Sequence, residues 1–197
     1  MSKPLTVGIT GGIGSGKTLV AKLFSLLDIP VYNADARAKE LTNSQLREPI
    51  INVFGEQSFI NGKLNRDFMA QKVFNNKEQL AKLNSIVHPA VAIDFEKWVR
   101  ENSSFEYVLK EAALLVEAGS YKQLDKLIVV TAPKKIRVER VKKRDPFRTD
   151  MEIEAIIDKQ TDDDVKLKLA DFVITNDESQ LIIPQVLDID KKIRQRL

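Results

Sequence analysis

Gly11-Gly12-Ile13-Gly14-Ser15-Gly16-Lys17-Thr18 fits the pattern G-x-x-x-x-G-K-[ST]. In such a loop, glycines adopt backbone angles closed to other residues and let amides approach a phosphate closely. The helix that follows adds unpaired N–H groups and the positive end of its dipole. Gly12, Ile13, Gly14, Ser15 and Gly16 are therefore read as ATP-binding, with Lys17 reaching the β- and γ-phosphates and Thr18 holding Mg²⁺. The flanks give this motif the context its mechanism requires. Leu5 to Thr10 is a short apolar, β-favouring run that predicts a buried strand, and Lys17 to Leu27 carries apolar residues at helical spacing.

Outward from the loop, Ile29 to Tyr32, Tyr107 to Leu109, Leu127 to Val130 and Phe172 to Ile174 read as further strands with helical patterns between them. That alternation predicts an α/β protein of the P-loop NTPase fold, a five-stranded parallel sheet flanked by helices. The stretch from about residue 36 to 103 breaks the rhythm. It is mostly helical in pattern, carries a turn signal at Asn61-Gly62, and reads as a helical insertion between two core strands. Pro146 should end the helix that begins near Pro133, and Thr149 with Glu152 has the spacing of a capping box for a new helix. The expected layout is a single P-loop kinase domain over residues 1–197. Its core takes in about 1–35, 104–140 and 161–197, and a lid occupies about 141–160.

The composition narrows the function. The 197 residues suffice for one domain with a sizeable core, and 43% hydrophobic with 30% charged residues is ordinary for a soluble chain. The absence of cysteine excludes disulfides, thiolate metal sites and a cysteine nucleophile. No secretion signal and no long apolar run is evident, so a cytoplasmic protein with no membrane partner is expected. The net charge of +3 is mild, but eight basic side chains crowd residues 134–148, opposed there only by Glu139 and Asp145. Such a cluster suits an anionic ligand. No N-K-x-D guanine signature is present, which weighs against a GTPase.

Several side chains have a chemical and a structural reading. Asp35 follows the second apparent strand, where ligands collect in parallel sheets. It suits a base for an attacking hydroxyl, an anchor for a metal-bound water, or a helix N-cap. Glu111 ends the third strand and reads as an acid that holds Mg²⁺ through water, or as an ordinary loop acid. Arg137, Arg140 and Arg144 share one helix face at i, i+3 and i+7; guanidinium groups there stabilise phosphoryl charge, whereas Lys142 and Lys143 read as solvated. Asn176, after the last strand, reads as an ATP contact through its backbone. Residues 188–197 read as a solvated helix end.

Residues 9–18 read ITGGIGSGKT. Asn33-Ala34-Asp35, His88-Pro89 and Ala113 to Glu117 follow, then Arg140 to Asp145, Gln160 and Ala170 to Asn176. In this order the chain resembles the dephospho-CoA kinase family, whose opening loop, D-A-D, H-P pair and P-L-L-x-E stretch the first four segments match. The resemblance implies transfer of the ATP γ-phosphate to the 3′-hydroxyl of 3′-dephospho-CoA, the last step of CoA synthesis. It implies Asp35 as the base and Arg140 as a phosphate contact from the lid side; Lys17 of the loop is read with them as catalytic, and Arg144 on the same helix face as a further ATP contact. The helical acceptor-binding insertion would hold the acceptor, which would meet Asp35, His88, Leu115 and Glu117. Asn33 for Asp and Ala113 for Pro depart from the family pattern. Two other readings stay open: a kinase for another small metabolite or nucleoside monophosphate, and a nucleotide sensor or nucleic-acid binder using the basic helix. The basic cluster lacks neighbouring stacking aromatics, so no nucleic-acid partner is expected.

Overall fold

The structure is a computed structural model, and it describes residues 3–74 and 76–195. The ends of the expected 1–197 domain and of the 188–197 segment thus lie outside the described residues. In chain order the elements are β1 (Leu5–Thr10), α1 (Lys17–Ser25), β2 (Val31–Asn33), α2 (Ala34–Thr42) and α3 (Arg47–Phe54). Then come β3 (Phe59–Ile60), β4 (Lys63–Leu64), α4 (Arg66–Val73), α5 (Lys77–Glu101) and β5 (Tyr107–Glu111). The chain continues with β6 (Lys126–Thr131), α6 (Lys134–Arg144), α7 (Asp150–Asp158), α8 (Asp163–Leu169), β7 (Phe172–Thr175) and α9 (Ile182–Arg194).

Five strands form one parallel sheet in the order β2-β5-β1-β6-β7. β1 lies in the middle, with its in-sequence successor β2 two places to one side and β6 on the other. The connections therefore diverge at the end of β1, the kind of switch point at which open α/β sheets bind ligands. The central strands are buried on both faces, as near-continuous apolar runs predict. Val7, Ile9, Leu109, Ile128, Val130 and Ile174 pack with Val20, Ala21 and Phe24 of α1 and Val186, Ile189 and Ile193 of α9. α9 thus turns an apolar face to the core, so the charged tail is an amphipathic helix and not merely a solvated end. Its Asp190 accepts the Tyr107 hydroxyl at 2.5 Å.

The chain divides into two compact units. One comprises the described residues up to Asn33 and from Val99 on; the other is Ala34–Trp98. In the second, Leu41, Leu46, Ile50, Phe54, Phe59 and Met69 form a separate core. Arg37 of α2 makes a two-pronged pair with Asp94 of α5, at 2.9 and 2.6 Å, a geometry that guanidinium and carboxylate favour. Phe95 and Trp98 stack with ring centroids 6.1 Å apart. The Asn61-Gly62 signal becomes the two-residue turn of a β3–β4 hairpin, both residues at positive φ, as a primed turn demands.

α6 ends at Arg144, one residue before Asp145-Pro146, since the residue before proline is pushed from helical angles. The capping box of α7 is formed: Glu152 N donates to Thr149 Oγ1 and Thr149 N to Glu152 Oε2. Ile128 is wholly buried in the central core. Ile128→Ala should cost about 2–5 kcal/mol, the usual loss for an emptied core site. Urea unfolding should show a lower midpoint at an unchanged slope.

Candidate active site

The loop between β1 and α1 keeps its glycines for steric reasons that the structure makes explicit. Gly16 has φ +98°, and a Cβ there would lie 2.3 Å from Asn176 Nδ2. Gly14 has φ +78°, and a Cβ there would meet the Arg137 carbonyl at 2.4 Å. The loop is thus gripped from outside by α6 and by the residue that follows β7. Asn176 donates its Nδ2 to the Ser15 carbonyl at 2.8 Å and its backbone N–H to Thr131. Its backbone carbonyl and its side-chain oxygen both accept from Arg140, at 2.9 and 3.2 Å. Asn176, expected at the nucleotide through its backbone, spends its side chain on the loop and on Arg140.

Thr18 and Glu111 meet. The sheet pairs Ile9 of β1 with Glu111 of β5, so the last residue of β5 lies beside the root of the loop. Thr18 Oγ1 donates to Glu111 Oε1 at 2.7 Å, and Asn33 Nδ2 donates to Glu111 Oε2 at 2.9 Å. Glu111 is only 6% exposed, so its oxygens depend on these donors. Asn33 stands at the end of β2, directly across from Glu111. An amide there offers an N–H₂ donor, which a carboxylate in the same place lacks.

The basic helix is less bare than its sequence. Arg140 reaches Glu178 at 3.1 Å and Lys142 reaches Asp150 at 2.7 Å. Arg137 lies 3.3 Å from Asp163. Arg144 and Arg148 both bind Asp145, and those guanidinium groups, Arg144 foremost, hold its carboxyl below the ordinary range. Lys142 and Lys143 are exposed, as expected of a solvated face, and Lys142 is paired across the break between α6 and α7.

Two residues expected at the acceptor are taken up elsewhere. Leu115 is 1% exposed and packs inside the fold, so its side chain offers no ligand surface. The Glu117 carboxylate accepts the Thr161 N–H at 2.8 Å and faces the Lys166 ammonium at 3.0 Å. Burial pushes the Glu117 pKa up, but the neighbouring backbone N–H groups and Lys166 outweigh it and hold the group below its ordinary value. Asp35 is exposed in the first turn of α2, and His88 is exposed on α5 beside Pro89, within the Ala34–Trp98 unit.

A profile of dephospho-CoA kinases matches residues 5–181. The chain belongs to the dephospho-CoA kinase family. A dephospho-CoA kinase of Bacteroides fragilis is 33% identical over 195 residues, covering 98% of this chain and 95% of its own. A crystal structure from Thermus thermophilus superposes with a TM-score of 0.87 at 30% identity, over 100% of this chain and 99% of that one. The dephospho-CoA kinase from Campylobacter jejuni gives a TM-score of 0.72 at 26% identity, over 98% of each chain.

Asn33 replaces the first Asp of the dephospho-CoA kinase pattern quoted above. Asn33→Asp would set a second carboxylate against Glu111 in the metal-free protein. Like charges raise the pKa of one of them above its unfolded value. The variant should match the wild type near pH 4, where that proton is bound, and fall behind by about 1–3 kcal/mol as pH rises to 7. Thermal melting against pH without divalent cations checks this.

Proposed function

We propose that this chain phosphorylates the ribose 3′-hydroxyl of 3′-dephospho-CoA with ATP, giving CoA and ADP, the last step of CoA biosynthesis. The observation that carries the reading is the Thr18–Glu111 contact at the root of the phosphate loop, in a chain that matches the family over residues 5–181.

The donor set suits magnesium. Among the described residues no group of three or more His, Cys, Asp or Glu could hold a metal. Mg²⁺ in kinases needs no such cage, since it keeps several waters and binds one or two protein oxygens together with substrate phosphates. Thr18 would supply a hydroxyl and Glu111 a carboxylate acting through water. When bound there, the ion would neutralise charge on the β- and γ-phosphates.

The remaining roles belong to side chains and backbone. Loop amides up to residue 18 cradle the phosphates, except that of Ile13, which Gln160 holds, and Lys17 follows the charge onto the transferring group. Arg140, braced by Asn176 and Glu178, lends a guanidinium from the α6 side, and Arg144 is a second candidate on the same face. Asp35, two residues beyond β2, takes the proton of the attacking hydroxyl and helps hold the ribose. His88 contributes to acceptor binding. Leu115 and Glu117 support the acceptor side indirectly, by packing and by bracing residue 161. Residues 141–160 act as a lid that excludes water and limits futile hydrolysis.

No helix among the described residues is long and apolar enough to cross a membrane. A coupled ADP-release assay with Mg-ATP and 3′-dephospho-CoA, beside AMP, CMP and a no-acceptor control, tests the function. ADP release only with dephospho-CoA, and CoA as product, is the expected result. Turnover with a nucleoside monophosphate instead would overturn the acceptor assignment. Lys17→Ala and Asp35→Ala should each lower turnover by at least about 10²-fold with the fold intact. Near-normal turnover of Asp35→Ala would remove the base assignment.

A further inference from the structure

Residues 159–162 join α7 to α8, and this turn is tied into the nucleotide end of the sheet by long-range contacts. The Ile13 backbone N–H, inside the phosphate loop, donates to Gln160 Oε1 at 2.8 Å. The next residue, Thr161, gives its N–H to Glu117 at 2.8 Å. Lys166 of α8 is 0% exposed and sets its ammonium 3.0 Å from the same Glu117 oxygen. That contact is a charge pairing without hydrogen-bond geometry, since Lys166 Nζ and Glu117 Oε2 have no hydrogen-bond partner. Asp163 holds Arg137 at 3.3 Å, and the Arg137 guanidinium lies so close on Gly12 that a Cβ there would come within 1.8 Å of Nη1. The turn is thus braced from below by Glu117 and Lys166, and it reaches the phosphate loop through one side chain.

We propose that Gln160 is a positioning residue for the nucleotide phosphates: its carboxamide fixes the Ile13 amide, and with it the phosphate loop, to the C-terminal end of the lid. The inference rests on the kinase reading of the site. The chemistry explains why a glutamine serves there. A partly buried loop amide gains from a fixed acceptor. A carboxylate would accept it more strongly, through a charge-assisted bond. It would also add a negative charge at the loop that receives a polyanion, and like charges repel across such a short gap. The carboxamide is an acceptor of the same reach with no net charge. It holds the loop and leaves the field for phosphate intact.

This separates a positioning role from a merely structural one. Gln160→Glu keeps an acceptor for Ile13, so a structural tie would survive it. Gln160→Ala removes the acceptor without adding charge. The experiment uses the full-length wild type and both variants. It records melting without nucleotide, ADP affinity by calorimetry at low and high KCl, and steady-state rates with ATP and dephospho-CoA varied in turn. Expected for Gln160→Glu are a wild-type melting temperature and an ADP affinity lower by about tenfold. That loss should shrink as salt screens the charge, and KM for ATP should rise while KM for dephospho-CoA stays put. Gln160→Ala should lose about tenfold in kcat/KM for ATP, the scale of one hydrogen bond left unmade. The proposal is overturned if Gln160→Glu binds ADP like the wild type, or if Gln160→Ala keeps its kcat/KM for ATP. It is also overturned if either variant loses melting temperature and all kinetic constants together. A wild type that makes no CoA would sink the kinase reading, and the ADP arm would still decide the role of Gln160.

Discussion

Everything at the nucleotide end of the sheet hangs on one buried carboxylate. Glu111 has little water, so its two oxygens need two donors, and they come from different elements: Thr18 at the start of α1 and Asn33 at the end of β2. That pair of bonds ties the phosphate loop's helix, the central strand pair and the edge strand together. A parallel sheet by itself fixes strand spacing but not the attitude of the loops at its ends. Here the attitude is set by matching a strand-terminal acceptor to flanking donors. The glycines then let the loop fill the space that remains between α6 and Asn176.

The α6 side follows a different electrostatic logic. A helix with three arginines on one face would repel itself and bind anions without discrimination. In the folded chain the charges are partnered one by one, by Asp163, Glu178, Asp150 and Asp145. Arg140 is the instructive case. It is oriented by two oxygens of Asn176 and one of Glu178, so its guanidinium is held in place before any ligand arrives. Preorganised charge of this kind stabilises a developing anion without reorganising at the moment of reaction.

The sheet was legible in the sequence because buried parallel strands are written as apolar runs. Its boundaries were less so. Ile29 is buried yet lies outside β2, whose pairing with β5 starts at Val31; apolarity reports burial and is silent about ladder bonds. The phosphate loop was legible because its chemistry is local. The partners of the basic helix were not, since three of their four acids lie outside the basic window. The resemblance marks Leu115 and Glu117 for the acceptor, while a local pairing, also open to Glu117 from its sequence, is what the Thr161 N–H and Lys166 provide, and Leu115 is buried. The Gln160–Ile13 bond spans 147 positions; the resemblance marks the glutamine at its place in the motif order, but nothing in the sequence marks Ile13 as its partner. The β3–β4 hairpin was half legible: Asn-Gly marked the turn, while the two-residue strands were too short for a period to show.

The Lys166–Glu117 pair also constrains how this chain can change over generations. Replacing Glu117 alone strands the Lys166 ammonium, which is 0% exposed, away from water at a cost of about 3–5 kcal/mol, while replacing Lys166 alone leaves a partly buried carboxylate without its counter-charge. Replacing both with apolar groups of similar volume removes the two charges together and leaves only the Thr161 N–H to find another acceptor. The two positions are therefore joined by a fitness valley that single steps cross poorly. Among related chains they should change together or not at all, as a correlated pair 49 positions apart whose link is electrostatic, with no ligand between them.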